Sequence, residues 1–453
     1  MKRWGIVGGG LLGLTMAHRL AQAGQQVTVL EAAPELGGLA SAWQVGDVTW
    51  DRFYHVVMLS DRYLRRLLSE LELDAGIDWK VTRAGFFTGK GLYQLNNAID
   101  YLRFPALNLI DKFRLGLTIL YMARIEDGRR LEAVPLEDWL TRLSGRRVFE
   151  NIWRPLLAAK LGDNYKKASA SFIWSYARRF YAARQGGMKT EMFGYVPGGY
   201  ARILECFAAL LAREGVVIQT GRPVQRIVPE RDGFTVTSGE TAFAFDRVVV
   251  TAASPLAAKI CEGLTEDERR RLQGVTYNGV ICASLVLTRP LGGYYLTYIT
   301  DRDIPFTAVI EMSSLVDAQQ QFGGKTLIYL PRYVTGEDVF WGYDDVEIER
   351  RFLEGLRRMY PDVKADEILA VRIARARQVY AVSTLNYSDN LPPMLTSVPG
   401  LTIVNSAHIV NASLAVNETM ALAEQTVERL LAREAGAAPA NTEPDPAPLV
   451  TAT

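Results

Sequence analysis

The chemistry in this sequence is concentrated near its start, where glycines recur at a fixed spacing. Gly8, Gly10 and Gly13 lie between a short apolar run and the helical pattern Leu11–Ala23. Gly8 permits a tight turn, Gly10 lets the backbone approach a pyrophosphate, and Gly13 lets the helix pack closely on the strand. The amides of the first helical turn, at Leu12 and its neighbours, favour a phosphate group.

A carboxylate completes the pattern. Glu31 ends a second predicted strand, Gln26–Leu30, and follows Gly13 by 18 residues. A carboxylate at this place accepts hydrogen bonds from the ribose hydroxyls of a dinucleotide. A GxGxxG sequence alone also occurs in turns that bind nothing. Together with a strand before it, a helix after it and the acid, it predicts a dinucleotide site.

A second glycine pair, Gly37 and Gly38, follows the acid. With this pair the sequence resembles the FAD-dependent amine oxidase superfamily. That family includes protoporphyrinogen oxidases, phytoene desaturases, monoamine oxidases and, more distantly, UDP-galactopyranose mutases. The resemblance implies bound FAD, with the glycine pair beside the pyrophosphate and flavin. Leu39 stands where the family often has arginine, so the hydroxyl of Ser41 is the remaining candidate for a contact there.

Segments further along the chain carry the same resemblance. Residues 51–55 are similar to the family's D-x-G-x-H stretch beside the flavin ring, with Phe53 in place of glycine. His55 is either a polar group on the substrate face or a histidine hydrogen-bonded within the core. The turn at 195–200 is similar to a P-x-G-G turn that opens a helix. The backbone of Val224 is expected to bind the adenine, while its side chain packs in the core.

Two later strands end in segments that the resemblance also places at the cofactor. The apolar run 246–250 leads into small residues and ends at Ala252. The run that starts at Leu401 ends in Asn405-Ser406, where most relatives carry Gly-Asp. A neutral pair can still donate hydrogen bonds to phosphate, and Ser406 is the candidate.

The last similar segment opens the C-terminal helix at Val416 and Asn417. In the family this helix N-terminus faces the pyrimidine edge of the flavin. The positive end of the helix dipole stabilises the anionic reduced flavin there. The alternative role of Asn417 is that of a simple N-cap.

The resemblance implies an α/β fold with a Rossmann-like FAD-binding domain and a discontinuous substrate domain of antiparallel sheet plus helices. Residues 435–453, rich in Ala, Pro and Thr, are predicted to be a disordered tail. The FAD-binding domain is expected at residues 1–60, 195–275 and 395–434, and the substrate-binding region at residues 61–194 and 276–394.

Three patterns in the substrate region leave alternatives open. The hydrophobic helix Leu107–Ala123 is plain core, a wall of a substrate tunnel, or a surface that dips into a membrane. Arg178, Arg179 and Arg184 form either a solvated face or an anchor for a carboxylate or phosphate. The strand patterns of residues 277–333 predict an antiparallel sheet over the flavin. Tyr380 lies on a further strand in a segment that approaches the flavin in relatives.

Bulk properties exclude several classes of protein. A net charge of +1 over 453 residues gives no electrostatic reason to bind nucleic acid. The three cysteines form no CxxC pair, which argues against a metal site or a disulfide framework and fits a reducing cytosol. No apolar run reaches the length of a membrane span. We expect a cytoplasmic protein, with or without peripheral membrane contact.

The sequence therefore predicts an FAD-dependent oxidoreductase, a dehydrogenase, oxidase or desaturase. It would remove a hydride from a C–N or C–C bond of an apolar small molecule. The flavin carries the chemistry, and no catalytic residue is identified. The chain has one GxGxxG, so oxygen or a quinone is the expected electron acceptor. One alternative is a flavin-dependent sugar-nucleotide mutase of the UDP-galactopyranose mutase type, with Arg178, Arg179 and Arg332 on the diphosphate. Another is a non-catalytic flavin-binding protein.

Overall fold

The computed structural model describes residues 1–89, 91–94, 104, 107–184, 192–410 and 412–436, with only the backbone of 179–184. The helices are α1 Leu11–Gln22, α2 Arg62–Glu70, α3 Leu109–Arg124, α4 Leu136–Ser144, α5 Arg154–Leu161, α6 Ala170–Arg184, α7 Gly199–Arg213, α8 Ser254–Ile260, α9 Glu266–Gly274, α10 Asp345–Met359 and α11 Val416–Glu434. The strands are β1 Arg3–Val7, β2 Gln26–Leu30, β3 Ala42–Val45, β4 Val48–Asp51, β5 Val57–Met58, β6 Asp78–Val81, β7 Ala84–Thr88, β8 Gly91–Gln94, β9 Met192–Tyr195, β10 Val217–Gln219, β11 Arg226–Glu230, β12 Gly233–Ser238, β13 Thr241–Phe245, β14 Arg247–Val250, β15 Tyr277–Leu287, β16 Leu296–Ile299, β17 Ala308–Glu311, β18 Thr326–Val334, β19 Ile368–Ala381 and β20 Leu401–Ile403. The segment 437–453, predicted to be disordered, lies outside the described residues.

A parallel sheet with the strand order β10-β2-β1-β14-β20 forms one half of the molecule. Its strands are almost continuously apolar because both faces are covered. Helices α1, α2, α7 and α11 bury one face. The antiparallel β11-β12-β13 sheet and helices α8 and α9 lie on the other. The parallel pairing aligns the carboxyl ends of the strands along one edge, where ligands bind in open α/β sheets.

A second sheet has the order β19-β15-β18-β17-β16-β7-β8. It is antiparallel, as the sequence predicts, except that β16 and β7 run parallel. Alternate residues of β15 face opposite sides, as a strand buried on both faces requires. Ile281 and Leu285 pack towards α10, and Val280 and Cys282 pack against the β3–β4 side.

Helices α3 to α6 form a cluster of their own, and α3 does not have the orientation of a core helix. Leu115 and Met122 point inwards, but the opposite face is apolar and exposed. The interpretation of residues 107–123 as plain core is therefore wrong for that face. No helix within the described ranges is long and apolar enough to cross a membrane.

One buried histidine joins the helical layer over the parallel sheet. The side chain of His18 on α1 is only 1% exposed. Its Nε2 lies 2.7 Å from a carboxylate oxygen of Glu70 on α2, and its Nδ1 lies 2.7 Å from Glu214 just after α7. Arg19 adds ion pairs to Glu70 and to Glu424 on α11. The network thus ties four helices together behind the glycine turn.

We expect His18→Ala to destabilise the protein strongly. The substitution removes a buried ring together with its hydrogen bonds to the carboxylates of Glu70 and Glu214, and hydrogen bonds to charged groups contribute about 1.5–3 kcal/mol each. Chemical denaturation measures the free energy of unfolding. Lys166→Ala is the control, because the Lys166–Asp163 pair is exposed and such pairs contribute less than about 1 kcal/mol. Equal losses in the two variants would contradict this role for His18.

Candidate active site

The glycine turn after β1 has the geometry that the sequence predicts. Gly8 has φ +119°, and its amide donates to the carbonyl of Leu30 at 2.9 Å. A Cβ atom on Gly13 would lie 2.0 Å from the carbonyl oxygen of Gly8. Helix α1 therefore approaches the turn as closely as only glycine permits. Leu12 is buried on the core side, so only its backbone can serve a ligand.

Glu31 lies beside this turn, at the carboxyl end of β2. Its carboxylate accepts hydrogen bonds from the amides of Gly9 at 2.5 Å and Ala33 at 2.8 Å. The side chain is half-buried. The two amides hold an acceptor over the turn, at the place where the sequence puts a ribose. The chain around Val224 passes close by, since the amide of Arg222 donates to the Glu31 carbonyl at 2.7 Å.

The second glycine pair packs directly on the first motif. The amide of Gly37 donates to the carbonyl of Gly9 at 2.9 Å, and Gly10 and Gly37 form a parallel bridge. Both Gly37 and Gly38 have positive φ. Leu39 packs into the apolar cluster of the second sheet. The hydroxyl of Ser41 is buried and has no hydrogen-bond partner among the described residues.

Residues 51–55 link the two sheets. Asp51 is buried, its Oδ1 accepts from the amide of Tyr200 at 2.8 Å, and its carbonyl accepts from the hydroxyl of Tyr329 at 2.6 Å. Burial raises the pKa of Asp51 to about 7. Gly199 allows this contact, because a Cβ there would lie 2.8 Å from Asp51 Oδ1. The predicted P-x-G-G turn therefore opens α7 against Asp51.

His55 is a neutral, packed ring. Its Nδ1 donates to the carbonyl of Phe53 at 2.8 Å, and its ring lies 4.9 Å from that of Tyr200. Burial lowers its pKa to about 4. The structure thus gives His55 the hydrogen bond of a core histidine, and its contact with the flavin remains a prediction.

The carboxyl ends of β14 and β20 are joined by Asn405. Its Nδ2 donates to the carbonyl of Ala252 at 2.8 Å, and its Oδ1 accepts from the amide of Ala407 at 3.0 Å. Asn405 is buried and serves the protein itself, whereas Ser406 is only half-buried. Of this pair, Ser406 is the residue that is placed to meet a ligand.

Asn417 has a role that the sequence does not reveal. Helix α11 begins at Val416 with Ala415 as its N-cap, so Asn417 lies inside the helix. Its Oδ1 accepts from the amides of Tyr63 at 2.9 Å and Leu64 at 3.4 Å. The side chain therefore caps α2, and the interpretation as the N-cap of its own helix is wrong. The half-buried Val416 stays the candidate at this helix N-terminus.

A lysine and three tyrosines meet where the segment 51–55 faces the helical cluster. The sequence does not predict this grouping. The ammonium group of Lys160 lies 3.6 Å from the ring centre of Tyr333 and 5.3 Å from that of Tyr380. The hydroxyls of Tyr54 and Tyr333 are 2.7 Å apart. Tyr54, Tyr333 and Tyr380 are called the tyrosine cluster below. Lys160 belongs to a segment, residues 151–162, that resembles a helical segment of protoporphyrinogen oxidases, but only tertiary packing brings it to these tyrosines.

Of the arginines predicted to bind a carboxylate or phosphate of the substrate, two contact other parts of the protein instead. Arg178 donates to the carbonyl of Glu126 at 2.7 Å and lies over Trp174. Arg332 donates to the carbonyl of Pro305 and pairs with Asp338. The side chains of Arg179 and Arg184 lie outside the described residues.

The site fits a dinucleotide. A Cβ on Gly10 would meet nothing within 4 Å, so space is open beside the turn. Helix α1 has no side-chain cap and no acid in its first turn, which leaves its amides for a phosphate. The unpartnered hydroxyl of Ser41 is of the kind that a ligand satisfies. The residues predicted to hold FAD stay Gly8, Gly10, Leu12, Gly13, Glu31, Gly37, Gly38, Leu39, Ser41, His55, Val224, Ala252, Ser406, Val416 and Asn417, with Asn417 able to contribute only its backbone because its side-chain oxygen caps α2.

Comparisons with known proteins identify the family of this chain. The family model for flavin containing amine oxidoreductases matches residues 13–410. A carotenoid phi-ring synthase of Streptomyces griseus is 22% identical over 398 residues, 81% of this chain and 75% of that protein. A hydroxysqualene dehydroxylase of Rhodopseudomonas palustris is 26% identical over 298 residues, 60% of this chain and 67% of that protein.

The fold is shared with a solved flavoenzyme. The crystal structure of reduced UDP-galactopyranose mutase superposes with a TM-score of 0.75 at 15% identity, over 99% of this chain and 96% of that one. At this identity the likeness concerns the fold alone. It confirms the predicted fold class and does not distinguish one flavin reaction from another.

We expect Gly10→Ala to weaken FAD binding without destabilising the protein. The backbone at Gly10 is extended, and the added methyl meets only the space that a pyrophosphate would occupy. FAD titration should show a dissociation constant raised about tenfold or more, with the unfolding free energy changed by less than about 0.5 kcal/mol. Gly13→Ala should instead destabilise the fold, since its Cβ meets backbone. Gly274→Ala, also without close contacts, is the neutral control. Unchanged FAD affinity in Gly10→Ala would show that the glycine turn does not contact the cofactor.

Proposed function

Because the chain belongs to the family of flavin-containing amine oxidoreductases and is an FAD-dependent oxidoreductase, we propose that it dehydrogenates a C–C bond of an apolar, isoprenoid-type small molecule. When bound, FAD accepts the hydride. The chain's own residues bind the apolar substrate, orient it and exclude water. The same proposal assigns residues 1–60, 195–275 and 395–434 to the FAD-binding domain, and the rest up to residue 394 to substrate binding.

One observation carries the choice of an apolar substrate. A single apolar cluster extends from the inner face of α3 to Tyr380, with Tyr333 packed against it. An apolar substrate that packs against such residues stays out of water, whereas a polar one loses its hydration there. The names of the two relatives above, a carotenoid ring synthase and a hydroxysqualene dehydroxylase, support the same class of compound.

The charges near the tyrosine cluster bear on the alternatives. Lys160 already occupies the face of Tyr333, so this aromatic face is not free to receive the ammonium group of an amine substrate. A sugar-nucleotide mutase needs cations for a diphosphate, and Arg178 and Arg332 are engaged with the protein itself. These observations favour oxidation of a C–C bond over oxidation of an amine and over the mutase reaction.

Flavin reduction tests the proposed function. We expect the purified protein loaded with FAD to lose its flavin absorbance under nitrogen when squalene or phytoene is added in detergent. Putrescine and UDP-galactose are the competing probes. Bleaching by putrescine alone would replace the C–C assignment with amine oxidation. Turnover of the sugar nucleotide only after chemical reduction would favour the mutase, and no bleaching by any probe would favour a non-catalytic flavin-binding protein.

Reoxidation tests the electron acceptor. Oxygen or a quinone should restore the absorbance of flavin that the substrate has reduced, and rapid reduction of the flavin by NADPH would contradict oxygen or a quinone as the acceptor.

We propose that the exposed face of α3 contacts an anionic membrane surface. The membrane is then the source of the apolar substrate. Leu109, Ile110 and Phe113 are 71%, 70% and 68% exposed, and they lie on one side of the helix with Leu117 and Tyr121. Exposed arginines lie on α3 itself and on the segments that contact it, namely Arg114, Arg124, Arg142 and Arg146. An apolar face with a basic border is typical of helices that lie in a membrane interface.

Sedimentation with lipid vesicles tests this contact. We expect the protein to sediment with phosphatidylglycerol vesicles more than with phosphatidylcholine vesicles, and the double variant Phe113→Glu/Leu117→Glu to stay in solution. Val346→Glu is the matched control, because Val346 is 76% exposed on a different helix, α10. Equal binding by the double variant and the wild type would contradict a membrane role for α3.

A further inference from the structure

The position of Lys160 is fixed by its own backbone. The residue lies in the last turn of helix α5, and its carbonyl accepts hydrogen bonds from the hydroxyl of Tyr380 at 2.6 Å and from Nδ2 of Asn278 at 3.3 Å. Asn278 is fully buried and is itself bonded to Asn164 at 2.7 Å. This frame directs the lysine side chain into the tyrosine cluster.

The amine of Lys160 has none of the usual partners of a buried lysine. Among the described residues, no carboxylate lies within ion-pair distance of its Nζ, and no hydrogen-bond acceptor is bound to it. Its neighbours are the faces of Tyr333 and Tyr380. Lysines are rarely buried unless they are paired, and a structural ion pair therefore does not explain this one.

The Lys160 amine is covered by aromatic rings but is not sealed off. Lys160, Tyr54 and Tyr333 are each partly accessible, and the faces of Tyr333 and Tyr380 lie against the amine. Burial lowers the pKa of Lys160 to about 7, and it raises the pKa of Tyr54 and Tyr333, because the charged form of each group loses hydration there. The amine is therefore within reach of a ligand and is partly neutral near neutral pH.

The tyrosine cluster adjoins the segments predicted to contact the flavin. Tyr54 is the residue before His55, and Leu39, which follows the glycine pair, packs into the same apolar cluster as Tyr54 and Tyr333. On the other side, Tyr380 belongs to the apolar cluster that reaches α3. Lys160 thus lies between the cofactor segments and the proposed substrate path.

We propose that Lys160 is a catalytic base that touches the substrate and accepts the proton released in the dehydrogenation; this rests on the function proposed above. One carbon of the bond loses a hydride to FAD, which supplies the two-electron oxidation. The neighbouring C–H bond breaks, its electron pair becomes the second bond of the alkene, and its proton goes to the lone pair on Nζ. The ammonium group then returns that proton to solvent. The tyrosine faces stabilise the charge on Nζ until it does.

Chemical trapping tests the amine without any turnover. Geranial, an apolar isoprenoid aldehyde, is added to the FAD-loaded protein with cyanoborohydride between pH 6 and 11, and peptide mass spectrometry locates the adducts. We expect half-maximal labelling of Lys160 near pH 7. Lys166 is the internal control, because its hydrogen bond to the carboxylate of Asp163 raises its pKa and delays its labelling to high pH. An unlabelled Lys160, or one that follows the pH profile of Lys166, would overturn the proposal and leave the proposed function untouched.

Substitutions test the base in the reaction. Lys160→Met removes the amine at similar volume, and Lys160→Arg keeps the charge but cannot give up its proton at neutral pH. We expect both to slow flavin reduction by squalene or phytoene about a hundredfold or more, with KM and FAD content changed little and the pH dependence near 7 lost. Lys166→Met should behave as wild type. Wild-type rates and pH profile in both Lys160 variants would rule out the base. A wild type that labels as expected but is bleached by neither compound would refute the proposed function instead.

Discussion

The close approach of α1 to β1 is the constraint on which the cofactor site depends. Helix and strand meet where Gly13 passes the carbonyl of Gly8, at a separation that leaves no room for a side chain. This contact directs the uncapped N-terminus of α1 at the carboxyl edge of the parallel sheet. Glu31, the second glycine pair, Ala252 and Ser406 then reach the same edge because their strands pair in parallel register. The His18 network fixes the far side of α1, so the helix is held at its middle as well as at its start.

A second junction joins the two sheets through Asp51. Its side chain receives the amide of Tyr200 at the start of α7, and its carbonyl receives the hydroxyl of Tyr329 from β18. One residue therefore fixes the distance between the cofactor edge and the strand that carries Tyr333. The placement of the tyrosine cluster relative to the flavin segments follows from this junction.

The sequence predicts the parts of the structure that local chemistry determines. The turn at Gly8–Gly13 and the acid at Glu31 are found as expected, because each depends on backbone conformation or on a short-range pattern. The partner of Asn417, by contrast, lies about 350 residues away on α2. An amide side chain at a helix start predicts capping, but it does not say of which helix.

For a related reason, the sequence does not predict the outward face of α3 or the grouping around Lys160. An apolar stripe has the same period whether it meets core or solvent, so the sequence of α3 cannot tell its two faces apart. Lys160, Tyr333 and Tyr380 come from three elements that only the packing of the second sheet against α5 brings together.

The strand order of the parallel sheet has a consequence for how the protein is made. Its first strand is translated at residues 3–7, but the edge strand β20 comes only at residues 401–403, and α11 follows it. Contacts this distant in sequence form late and slowly. During synthesis the nascent chain exposes the open edge of β14 until β20, about 150 residues later, has left the ribosome. The carboxyl edge of the parallel sheet is therefore incomplete until that strand has been made.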